Sequence, residues 1–142
     1  MKRAFFLIVV SCLTLSGNLF AALGDTEDQI ADLFGKPVDQ GFPNEKGITT
    51  NMYQKGNYII LVQFLRRLSL AESYTRVDKS EFSQDEISSL LAGNSDDVEW
   101  VKNPDKQEWE RADHKAKAWL DTLSGRPTFL VQAELAPPAA GR

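Results

Sequence analysis

Apolar positions recur twice in this chain at the spacing of a short amphipathic helix. Ile30, Leu33 and Phe34 form one set and Ile87, Leu90 and Leu91 the other, each at i, i+3, i+4, which is one helical face. Both sets share an opening. Thr26 or Ser83 supplies a capping hydroxyl, and Gln29 or Glu86, three residues on, can reach back to the cap residue's own N–H. That is a capping box, which satisfies two otherwise orphan donors. Asp28 and Asp85 lie in the first turn, where the helix dipole favours negative charge. Phe82, just before the second cap, can staple onto Ile87. Gly35 and Gly93 are expected to end the helices in the left-handed conformation, with Pro37 as a further stop after the first. Helices of two turns are marginal alone, so their stripes must lie on another layer.

Strand patterns supply that layer. Tyr58 to Leu65 is β-branched, aromatic and almost continuously apolar, which predicts a central strand covered on both faces. Gly56-Asn57 separates it from Met52-Tyr53-Gln54, a hairpin signal. Arg66-Arg67 reads as the next turn and Ser69 to Val77 as a third strand, whereas Val38 to Thr49, rich in Gly, Pro, Asn and charge, reads as loop.

The echo between the two halves extends past the helices. Tyr53-Gln54-Lys55-Gly56-Asn57-Tyr58 aligns with Trp109-Glu110-Arg111-Ala112-Asp113-His114 at an offset of 56, against 57 for the helices. A second hairpin is therefore expected, from Glu108 to Ala112 and Lys115 to Thr122, with Thr128 to Leu135 as the last strand. Local propensity points the other way. Asn103-Pro104 is a good helix start, and Trp109, Ala112, Ala116, Trp119, Leu120 and Leu123 also fit a helical stripe. The repeat favours the hairpin and propensity favours one helix from 104 to 123.

The expected fold class is α+β: a duplicated helix–β–β–β unit, spanning 25–78 and 82–135, with its short helices laid on an antiparallel sheet. Residues 1–24 read as a secretory signal peptide, with Lys2 and Arg3 followed by the apolar run Ala4 to Leu15 and a cut after Ala22 or Gly24. The rival reading is an uncleaved anchor, and a lipoprotein junction at Val9-Val10-Ser11-Cys12 is a further option. Gly17 and Asn18 interrupt the run before it could span a membrane. Residues 136–142, A-P-P-A-A-G-R, read as a disordered tail.

Charge and cysteine content narrow the function classes. The chain carries 16 basic and 20 acidic residues, a net charge of −4. Loss of Lys2 and Arg3 with a leader would leave it more acidic, which argues against nucleic acid or anionic lipid as a partner. The one cysteine, Cys12, lies in the leader, so the remainder has neither disulfide nor thiolate chemistry. No Gly-rich phosphate loop and no G-x-S-x-G elbow occurs. The lone His114, beside Asp113, falls in an expected turn, and Asp96, Asp97 and Glu99 lack the spacing of a calcium loop. No cofactor or metal is therefore expected, and no catalytic residue stands out. Trp100, Trp109 and Trp119 are candidate binding residues, as indoles that could line a groove; Arg66 and Arg67 are a candidate anion-binding pair.

The order helix, Gly-x-Pro stop, hairpin, carried by Thr26, Ile30, Leu33, Phe34, Gly35 and Pro37 and by Ser83, Ile87, Leu90, Leu91 and Gly93, resembles the unit of small outer-membrane assembly lipoproteins and the unit duplicated in β-lactamase inhibitory proteins. The run D-E-I-x-x-L-L-x-x-N from Asp85 to Asn94, followed by Trp100 and by Trp109-Glu110-Arg111-Ala112-Asp113, is similar to small exported bacterial proteins of unknown function. The resemblance implies a helix-plus-hairpin unit and brings no activity with it. The expectation is a periplasmic or secreted, non-catalytic binding module for a protein or peptide of the cell envelope, without a membrane span once the leader is removed. The alternative is an enzyme or small-ligand carrier with a cleft between the repeats near Asp113 and His114.

Overall fold

A computed structural model describes residues 20–135, so most of the expected leader and all of the expected tail, 136–142, lie outside the described residues. Two helices, α1 (Glu27–Phe34) and α2 (Gln84–Gly93), accompany eight strands. These are β1 (Asp39–Gln40), β2 (Ile48–Lys55), β3 (Tyr58–Leu65), β4 (Leu68–Arg76), β5 (Trp100–Lys102), β6 (Glu108–Arg111), β7 (Ala116–Leu123) and β8 (Arg126–Ala133). They form one antiparallel sheet in the order β1-β2-β3-β4-β8-β7-β6-β5. Each helix is followed by four strands where three were expected, because the loops ahead of β2 and β6 each contribute a short edge strand.

Both capping boxes form. Thr26 Oγ1 accepts from the Gln29 N–H at 3.2 Å and the Thr26 N–H donates to Gln29 Oε1 at 2.9 Å. Ser83 Oγ accepts from the Glu86 N–H at 3.1 Å and the Ser83 N–H donates to Glu86 Oε1 at 3.2 Å. Gly35 ends α1 with φ +83°. Gly93 departs from expectation: it is the last helical residue, and Asn94 caps α2 at φ −109°. The Asn94 amide donates to the Leu90 carbonyl at 3.0 Å, so a side chain terminates this helix without the left-handed turn.

The hairpin prevails over the helix between 104 and 123. β6 and β7 pair with Trp109 opposite Ala118. Trp109, Ala116 and Ala118 are buried on the helix-bearing side while Lys117 is exposed, a period of two that overrides helical propensity. The turns β3–β4 and β7–β8 are two-residue loops with positive φ at both positions: Arg66 and Arg67 in one, Ser124 and Gly125 in the other. That is the backbone twist tight hairpins require.

The core lies between the helices and one face of the sheet. Ile30 and Phe34 of α1 and Ile87 and Leu90 of α2 press on Tyr53, Ile60, Val62, Tyr74, Phe129 and Val131. Leu90 is fully enclosed, and its truncation to Ala would cost about 2–5 kcal/mol. β3 corrects a further expectation. Ile60, Val62 and Phe64 are buried, but Leu61 and Gln63 are exposed, so only one face of this strand is covered.

Of the residues that the sequence pattern assigns to the leader, Phe20, Ala21 and Leu23 pack with this core, and Ala22 and Gly24 are held beside it by hydrogen bonds. Phe20 meets Tyr74 and Tyr58 edge-on, with ring centroids 5.4 and 6.0 Å apart. Ala21 is fully buried within the same cluster. The Ala22 carbonyl accepts from Ser69 Oγ at 2.9 Å, the Leu23 N–H donates to Asn94 Oδ1 at 2.8 Å, and the Gly24 N–H donates to the Ser69 carbonyl at 2.9 Å.

Candidate interaction surface

Strand alternation sends half of the sheet's side chains away from the helices. Both helices pack on the other face, so among the described residues this second face carries no helix. The strand register sets a row across it. Asp39 stands opposite Met52, Met52 opposite Leu61, Leu61 opposite Ser73, Ser73 opposite Leu130, Leu130 opposite Trp119 and Trp119 opposite Glu108. Met52, Leu130 and Trp119 are half-buried and Leu61 is 36% exposed. The row thus has an apolar middle and a carboxylate at each end. Ile59, beside Gln54 and Thr75, widens it. A sheet face with water on it ordinarily presents polar groups in alternation with buried ones. Four large apolar side chains in one register row are the departure.

Trp119 also reaches a second feature. At the β5 end of the sheet a recess of about 870 Å³ is lined by Trp109, Trp119, Val101, Lys102, Pro104 and His114. Trp109 enters it from the helix-bearing side, where it is 8% exposed and its ring centroid lies 6.4 Å from that of Phe129. The Lys102 ammonium sits 5.9 Å from the Trp109 ring centroid, a cation–π contact. Trp100 faces elsewhere: its indole N–H donates to the Leu91 carbonyl at 2.7 Å and ties β5 to the end of α2. The fold therefore brings Trp109 and Trp119 to one recess and gives Trp100 a structural hydrogen bond. Arg66 and Arg67 occupy the β3–β4 turn, away from this recess.

Asp113 and His114 sit in the turn between β6 and β7. Asp113 Oδ1 accepts from Arg111 Nε at 2.9 Å and from the Lys115 N–H at 3.0 Å, which closes the turn. The hydrogen bond from Arg111 holds its carboxyl below the usual carboxylate range. His114 is exposed and its Nδ1 is bonded to Glu110, a contact that lowers the Glu110 carboxyl as well. Both groups are thus engaged in local pairing. Asp96 and Asp97 take positive φ in the loop after α2, and no group of three metal-ligating side chains occurs among the described residues.

The most deeply buried carboxyl among the described residues escaped the sequence reading. Glu72 faces the core from β4 at 2% exposure, accepting from the Tyr74 hydroxyl at 2.9 Å and from Ser69 Oγ at 3.3 Å. Burial pushes its carboxyl up to about 7, against the lowering effect of those two bonds. The signal was present as a lone acid at a core-facing position of an otherwise apolar and hydroxylic strand.

No family model matches this chain, and no curated protein or solved structure matches it. Among the described residues, no helix is long and apolar enough to cross a membrane.

Proposed function

We propose that this protein is an exported, non-catalytic binding module that engages a protein or peptide of the cell envelope through the sheet face opposite its helices. The row Met52–Leu61–Ser73–Leu130–Trp119 carries the proposal. It offers an apolar centre on a rigid support, flanked by Asp39 at one end and Glu108 at the other. A matching partner presents an apolar patch with basic groups on either side. The basic, then apolar, amino-terminal run supports export.

Two copies of one ancestral unit make this architecture. The support is the register of the central strands. Tyr74 pairs with Phe129 and Glu72 with Val131, on either side of Ser73 and Leu130. Shifting the β4 residue forward by 57 positions and the β8 residue back by the same number exchanges those two pairs. It also maps Ser73 and Leu130 onto each other, and 57 is the offset between the capping residues Thr26 and Ser83. A pseudo-twofold axis between Ser73 and Leu130 accounts for both facts. The cap-and-stripe resemblance to outer-membrane assembly lipoproteins and β-lactamase inhibitory proteins agrees with this origin.

The test is recovery of a partner from the protein's own envelope fraction by the immobilised chain and by two double variants. Leu61→Lys with Leu130→Lys should lose the partner, whereas Arg66→Ser with Arg67→Ser, on the turn, should retain it. Equal recovery by both variants would remove the sheet face from consideration.

A further inference from the structure

The stretch Phe20–Gly24 packs beside the centre of the domain, and its contacts bear on where the chain can be processed. Its residues bond to two separate parts of the fold, Ser69 on β4 and Asn94 at the end of α2, and Phe20 packs edge-on against Tyr74. Downstream the contact continues, with the Ser69 N–H donating to the Asp25 carbonyl at 2.8 Å and Thr26 bridging to Leu68. Phe20 also lines a recess of about 380 Å³, together with Phe34 of α1 and Ser89 of α2. Beneath the stretch lie Tyr74, without exposure, and Glu72, at 2%. A cut after Ala22 removes Phe20 and Ala21 from this packing; a cut after Gly24 removes every contact from Phe20 to Gly24. Either one opens the aromatic cluster and wets a buried carboxyl.

We infer that Phe20–Gly24 belongs to the mature domain and that the leader is removed ahead of Phe20. The small residues that make Ala22 and Gly24 look like a processing site serve a different need here. Ala21 is enclosed on all sides, where a larger side chain has no room, and Gly24 adopts φ +89°. The inference rests on the exported reading above, and the two fail in different ways.

The experiment expresses the full chain in a Gram-negative host and measures the intact mass and amino-terminal sequence of the folded product. A first residue from 12 to 20 is the expected result, whether or not a start at Cys12 carries an acyl mass. A folded product beginning at Leu23 or Asp25 overturns the inference and leaves export standing. A product that keeps Met1 overturns both. Phe20→Ala in the full chain gives the second readout, because a residue removed by processing cannot alter the stability of what remains. The expected shift is a lowering of Tm on the order of 10 °C in the mature protein. An unchanged Tm overturns the inference. Should Phe20→Ala not fold, Phe20→Leu carries the same comparison with a smaller shift.

Discussion

The hydroxyl of Tyr74 donates to Glu72 Oε2 at 2.9 Å, two residues apart on the helix-bearing side of β4, and both side chains are shut off from water. A carboxyl here is held largely protonated up to about pH 7, whereas in the unfolded chain it ionises near its ordinary value of 4.5. Between those values the native state binds the proton and the unfolded state does not, so stability falls as pH rises. The contribution is fully present below 4.5 and lost by about 7, and is of the order of 3 kcal/mol. Urea unfolding at pH 5 and pH 8 measures it. Glu72→Gln should flatten the profile over that range and raise stability at pH 8. A wild-type profile already flat between the two would contradict the assignment.

Glu86 joins α2 to the sheet. One oxygen closes the capping box with Ser83, and the other accepts from Tyr58 and from Arg76 Nη1. Partial burial pushes its carboxyl up, but the bonds from Tyr58, the Ser83 N–H and Arg76 outweigh that and hold it below the ordinary range. Its contribution is therefore present above the ordinary carboxylate value and lost as pH falls through the lowered one. Glu86→Ala should destabilise by about 1–3 kcal/mol at pH 7. Ser83→Ala should lose only the capping part. Equal losses in the two variants would mean that the links to Tyr58 and Arg76 contribute nothing.

The two indoles of the recess should behave differently. Trp109 is part of the core, so Trp109→Ala should cost about 3–5 kcal/mol in urea unfolding. Trp119 is half-buried on the uncovered face, and Trp119→Ala should cost roughly 1 kcal/mol while weakening partner binding. Reversal of that order would reverse the assignment of the two faces.

Asn94 links three segments: its amide oxygen accepts from Leu23, its amide nitrogen donates to Leu90, and its backbone carbonyl accepts from Arg111 Nη1 at 3.1 Å. Asn94→Ala should cost about 2 kcal/mol, since the Leu23 and Leu90 groups lose their partners. The Leu23 amide should then exchange with deuterium markedly faster. Unchanged protection there would show that Asn94 is not what holds the amino-terminal stretch.

What the chain revealed in advance was whatever its neighbours in sequence decide. Thr26 with Gln29 and Ser83 with Glu86 act over three residues, and both boxes were legible. The second hairpin was legible only through comparison with Tyr53–Tyr58, because Pro104 and the spacing of Trp109, Ala112 and Ala116 satisfy a helix equally well. Three features depend on contacts remote in sequence and left no local trace. Leu61 looks like core until the register shows which side of β3 it occupies. Phe20 and Ala21 read as leader in the sequence, and only the folded chain brings them into one cluster with Tyr74. Trp119 and Leu130 become neighbours of Leu61 only through the β4–β8 pairing, and the candidate surface depends on it.

The borders of the sheet are finished in a way that limits how molecules of this protein can meet. On one side, the outward carbonyls of Ile48, Thr50 and Met52 already accept from Asn44, Gly41 and Val38 of the preceding segment. Gly41 comes so close that a β-carbon there would lie 2.5 Å from the Thr50 oxygen. On the other, Glu108 accepts from Asn103, and Glu99 from Ala112. The strands that form the two rims are short, β1 with two residues and β5 with three, so a foreign strand finds little edge to template on and fibre-like growth is disfavoured where antiparallel sheets are usually most vulnerable. Addition of a strand is thus disfavoured at both ends of the sheet, which leaves its faces as the larger accessible surface.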